Sequence, residues 1–77
     1  MRVRHLRLTS SLLWVDVRLT WLDGKWLASA DTASGPSLGT GQQPIEALTS
    51  ALEAYDGIID ELLATVPDQL YWARADP

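Results

Sequence analysis

The run Trp21-Leu-Asp-Gly-Lys-Trp26 constrains this chain more than any other. Asp23-Gly24 has the composition of a type I′ turn, in which both central positions need φ > 0. A two-residue turn leaves no freedom of register. Leu22 must face Lys25, Trp21 must face Trp26, Leu19 must face Ala28, and Val17 must face Ala30. Residues 12–22 alternate before the turn. Val15, Val17, Leu19 and Trp21 point one way, while Trp14, Asp16, Arg18, Thr20 and Leu22 point the other. This is a strand pattern with one apolar face and one mixed face. The apolar face continues beyond the turn as Trp26, Ala28 and Ala30. Small alanines opposite large residues leave room for a helix to lie across the sheet. The same register sets Asp16 against Asp31, which disfavours pairing between like charges. Either the ladder ends there, since Asp31-Thr-Ala-Ser-Gly-Pro36 reads as a departing loop, or Arg18 bridges diagonally to Asp31.

The second strong signal is a helix over about residues 43–66. Ile45, Leu48, Leu52, Tyr55, Ile59, Leu62 and Val66 recur at steps of three and four, an amphipathic stripe. Thr40 with Gln43 has a capping-box spacing. Pro44 fits only a first turn, and Pro67 ends the element. Gly57 costs up to about 1 kcal/mol inside a helix and marks a bend or a break after Asp56. Glu46, Glu53 and Asp60 form a solvated acidic stripe beside the apolar one.

The remaining segments are weaker. Residues 1–11 read as a basic N-terminal arm or edge strand, with Arg4, Leu6 and Leu8 on one side and Val3, His5 and Arg7 on the other. Basic groups on an edge discourage uncontrolled pairing. Residues 37–40 suit a brief third strand, weakened by neighbouring glycines. Residues 67–77 suit a last strand, around Gln69 to Arg74, and a frayed tail. The fold expected is α+β. It is a single domain with a small antiparallel sheet of three to four strands (β-β-β-α-β) and one long amphipathic helix on one face.

Seventy-seven residues with no cysteine give a small core and exclude disulfides. A composition 47% hydrophobic and 21% charged is globular. The net charge of −4 is uneven. Residues 1–30 carry Arg2, Arg4, Arg7, Arg18 and Lys25 against Asp16 and Asp23, while residues 31–77 carry only Arg74 against eight carboxylates. The acidic half argues against nucleic-acid binding through that surface. No apolar run reaches the roughly twenty residues of a membrane span, so a cytoplasmic protein is expected.

Chemistry is sparse. His5 is the only histidine and stands among arginines, so no nucleophile has a base beside it. Glu53, Asp56 and Asp60 share a helix face and could meet a divalent cation, but no converging ligand from another element is evident, and a solvated face that keeps the domain soluble is the better reading. Gly35 to Gly41 lacks the Lys-Ser/Thr ending of a phosphate loop. No catalysis, cofactor, metal or small-molecule substrate is expected. The heptad stripe serves either as core or as a seam with a partner helix.

Gly24-Lys25-Trp26-Leu27-Ala28, followed after a loop by Gly41-Gln42-Gln43-Pro44-Ile45-Glu46-Ala47, resembles the signature of the HicB-like antitoxin domain. That family has a degenerate ribonuclease-H-like fold of three strands, a helix and often a last short strand. The resemblance covers residues 12–66. The Pro-Asp-Leu-Pro-Gly run common in the family is replaced by Asp31-Thr-Ala-Ser-Gly-Pro36, and the arm through Ser11 is extra. No DNA-binding segment follows, and the catalytic carboxylates of true ribonuclease H are absent as a set. The resemblance implies a non-catalytic interaction domain that neutralises an RNA-cleaving toxin. Two other functions stay open: a homo-oligomer, such as a homodimer, with a structural or regulatory role, and a nucleic-acid binder using the basic half. The expected partner-binding residues are Glu46, Glu53, Asp56 and Asp60 on the acidic helix, and Trp14, Leu22, Leu27 and Arg18 on the mixed sheet face.

Overall fold

Four antiparallel strands run in sequence order: β1 (Val3–Thr9), β2 (Trp14–Leu22), β3 (Lys25–Thr32) and β4 (Gly35–Gly41). The helix α1 (Pro44–Ala51), a 3-10 turn (Glu53–Tyr55) and a short helix α2 (Ile59–Leu63) follow. The structure is a computed structural model and describes residues 3–66.

Asp23 and Gly24 take φ of 53° and 79°. The β2–β3 ladder therefore has the register the turn requires, from Leu22↔Lys25 to Val17↔Ala30. Trp21 and Trp26 meet edge to face with centroids 5.6 Å apart. The ladder stops short of Asp16 and Asp31, and Arg18 also reaches Asp31 at 3.6 Å. β3 itself continues. Asp31 and Thr32 pair with Pro36 and Gly35, so the expected departing loop is a second tight hairpin. Thr32 closes it by donating from Oγ1 to the Gly35 carbonyl at 2.5 Å. The expected brief third strand is consequently seven residues long.

Alternation sorts the sheet into two faces. Leu8, Val15, Val17, Leu19, Trp26, Ala28 and Ala30 are buried on one. α1 lies over β3 and β4, and α2 lies near β1. The approach of α1 is close because β4 offers glycines. A Cβ on Gly39 would run into the Ala51 nitrogen and the Ala47 carbonyl, and one on Gly41 into Glu46. Ala47, Leu48, Ala51, Leu52, Leu62 and Val66 complete the core.

The long helix expected over residues 43–66 does not form. α1 has eight residues, and Leu52 (φ −101°, ψ 13°) ends it. Asp56 is extended, and Gly57 takes φ 100°, a left-handed conformation no helix interior contains. The β-β-β-α-β order is likewise corrected: four strands precede the helices. The last strand placed around Gln69 to Arg74 lies outside the described residues. The N-cap also moves. Thr40 belongs to β4, Gln43 is the N-cap, and Glu46 Oε1 accepts from the Gln42 and Gln43 N–H groups at 2.8 and 3.0 Å. That carboxylate satisfies two donors and complements the positive helix end.

Candidate interaction surface

The second face of the sheet has no helix over it among the described residues. Register places Val3, His5, Arg7 and Thr9 of β1 on it, then Trp14, Asp16, Arg18, Thr20 and Leu22 of β2. Lys25, Leu27, Ser29 and Asp31 of β3 and Pro36, Leu38 and Thr40 of β4 complete it. An antiparallel sheet can leave one face in water when that face is polar. This one is a mosaic. Val3, Trp14, Leu22 and Leu38 are exposed, and Leu27 is half-buried.

The charges of the face are largely matched internally. Arg7 donates from Nε and Nη2 to the two carboxylate oxygens of Asp16, at 2.8 and 3.2 Å. Its guanidinium stacks over the Trp14 ring, 4.0 Å from the centroid. The hydrogen bond from Arg7, more than its charge alone, holds the Asp16 carboxyl below its usual range, and the Arg7 guanidinium is correspondingly raised. Arg18 reaches Asp31. An open depression lined by His5, Arg7, Asp16, Arg18 and Asp31 lies between the two ion pairs. Cations already opposed by carboxylates have little attraction left for phosphates.

At one end of the face stands the β1–β2 turn, which is fixed and apolar. Ser10 Oγ accepts from the N–H groups of Leu12 and Leu13 at 3.1 Å each and donates to the Leu13 carbonyl at 3.0 Å. Glu61 on α2 holds the turn from outside, accepting from Ser11 N–H at 2.9 Å and Ser11 Oγ at 3.2 Å. This anchored turn leaves Leu12 75%, Leu13 37% and Trp14 57% exposed in succession. The sequence pattern had placed Leu12 and Leu13 inside the strand. Three consecutive exposed apolar residues cost solubility, and a small domain retains them where they have a use.

The eight expected partner-binding residues separate into two sets. Trp14, Arg18, Leu22 and Leu27 share the open face. Glu46, Glu53, Asp56 and Asp60 lie in the helical layer and are exposed. They form no continuous stripe, because the element carrying them is broken. Glu46 is occupied in capping. Among the described residues no group of carboxylates and histidines could hold a metal ion, and no helix is long and apolar enough to cross a membrane. Sequence reasoning missed Leu12, Leu38 and Glu61. For Leu38 the available signal was the Thr32-Ala-Ser-Gly35 turn, which extends the meander by one strand.

No family model matches this chain, and no curated protein or solved structure matches it.

Proposed function

We propose that this protein is a non-catalytic protein-interaction domain whose partner seats on the turn Leu12–Trp14 and the adjoining open sheet face. The observation that carries this is the run of three exposed apolar residues on a turn held rigid by Ser10 and Glu61. A fixed apolar anchor loses little entropy on binding. Trp and Arg are the residues most enriched at binding hot spots, and here Arg7 stacks on Trp14. The two segments that resemble the HicB-like signature make an RNA-cleaving toxin the narrower proposal for the partner.

The test is co-expression of the tagged chain with each small open reading frame flanking its gene, in parallel for Leu12→Ser and Trp14→Ala. Retention of one product by the wild type, lost in both variants while each still unfolds in a cooperative transition, supports the proposal. Equal retention by both variants places the contact elsewhere and overturns it. So does a chain that sediments as a monomer at every concentration and retains nothing. Self-association through the same face would appear as a dimer insensitive to salt and abolished by Trp14→Ala.

A further inference from the structure

The two edges of the sheet are finished differently, and the Asp23-Gly24 turn settles how. In a two-residue hairpin the flanking pair, Leu22 and Lys25, exchanges both backbone bonds. Thr20 and Arg18 then also direct N–H and C=O toward β3. Leu19, Val17 and Val15 direct theirs toward β1, where their register partners are Arg4, Leu6 and Leu8. Val3, His5, Arg7 and Thr9 must therefore direct theirs outward. Thr9 agrees: its N–H leaves the sheet and donates to Thr65 Oγ1 at 3.2 Å. The same counting through Thr32↔Gly35 puts Pro36, Leu38 and Thr40 outward on β4. The β4 edge thus begins with a residue that has no N–H to offer, a usual way of blunting an edge.

β1 has neither Pro nor Gly. The outward backbone groups of Val3, His5 and Arg7 have no hydrogen-bond partner among the described residues. What guards this edge is charge. Arg4 sits on the core-side face yet is exposed, and no carboxylate pairs with it among the described residues. Leu6, next on that face, is only half-buried. Cationic side chains oppose a second β1 laid alongside but favour a strand that brings a carboxylate.

We propose that the β1 edge from Val3 to Arg7 accepts an extended acidic segment of a partner polypeptide as a fifth strand, with a carboxylate beside Arg4 and an apolar side chain two residues on, beside Leu6. Main-chain bonds to Val3, His5 and Arg7 supply affinity, and the alternating side chains supply selectivity. This surface is separate from the Leu12–Trp14 turn, so either assignment can fail alone.

The probes are acetyl-Thr-Glu-Thr-Val-Thr-Glu-Thr-amide and its Lys-for-Glu counterpart, each titrated into the full chain labelled for amide detection. The acidic peptide is expected to shift the Val3, His5 and Arg7 amides and slow their exchange about tenfold at ~90% occupancy, leaving Leu6 and Leu8 nearly unchanged. Added salt weakens this, and the Lys peptide does neither. Arg4→Glu reverses the preference. Arg4→Gln, which keeps the stem without the charge, abolishes it. Equal binding of both peptides, or shifts confined to β4 or the open face, overturns the proposal. It is equally overturned if these three amides are already slow in the dilute free chain, because the edge is then occupied without a partner.

Discussion

Gly39 sits where the backbone of α1 touches the sheet. Exchanging its hydrogen for a methyl group places a carbon against the Ala51 nitrogen and the Ala47 carbonyl, atoms that cannot rotate away. Gly39→Ala is therefore expected to destabilise by about 1–3 kcal/mol, or more if α1 detaches, as a fall in the urea midpoint. An unchanged midpoint would mean that α1 does not rest on β4. The Arg7–Asp16 pair gives a second residue-scale prediction. Asp16 has its folded pKa depressed, chiefly by the hydrogen bond from Arg7. Its stabilising contribution is thus present above the unfolded carboxylate pKa and is lost as pH falls through the folded value. Both side chains are in solvent, so the effect on stability is small. The clear readout is the titration of the Asp16 carboxyl by NMR. Its midpoint should lie below the ordinary carboxylate range in the wild type and return to it in Arg7→Ala.

At the scale of elements, the break after α1 is the main point where pattern and structure part. The steps from Leu48 to Leu52, Tyr55, Ile59 and Leu62 satisfy helical periodicity, and these residues do turn inward. Periodicity reports which side chains face the core, not whether the path between them is one rod. A helix over residues 43–66 would be about 36 Å long, while strands of seven to nine residues span about 24–31 Å. A straight rod would overrun the sheet and leave β1 bare. The break lets α1 cover β3 and β4 while α2 lies near β1. Gly57 makes this geometry accessible, and it discriminates between the two architectures by sign. In a continuous helix Gly57→Ala would stabilise by up to about 1 kcal/mol. At φ 100°, with open space around the added carbon, the same change forces a strained backbone. We expect destabilisation of about 1 kcal/mol or more, measured by urea denaturation. Stabilisation would restore the single helix.

Across the whole molecule, the hairpin register and the buried side of the sheet were legible because a two-residue turn and strict alternation act locally. Trp14, Arg18, Leu22 and Leu27 could be assigned to one face for the same reason. Leu12 and Leu13 could not, since they resemble strand residues until Ser10 folds the backbone back upon itself. Leu38 was obscured by the glycines around it, which serve the contact with α1 rather than ending the strand. Trp26 and Trp14 lie in two different environments, and this yields a test of which surface belongs to the folding unit. Trp26 is 6% exposed against Trp21 and the core, whereas Trp14 is 57% exposed and lies under the Arg7 guanidinium. Trp26→Ala should cost about 3–5 kcal/mol. That is comparable with the whole stability of a small domain, so the variant should be largely unfolded by circular dichroism at room temperature. Trp14→Ala gives up one exposed cation–π contact, worth about 0.5–1 kcal/mol. It should keep its fold and its cooperative urea transition, with a midpoint slightly lowered. If Trp14→Ala unfolds the isolated chain, the open face is part of the core of an assembly rather than a site awaiting a partner.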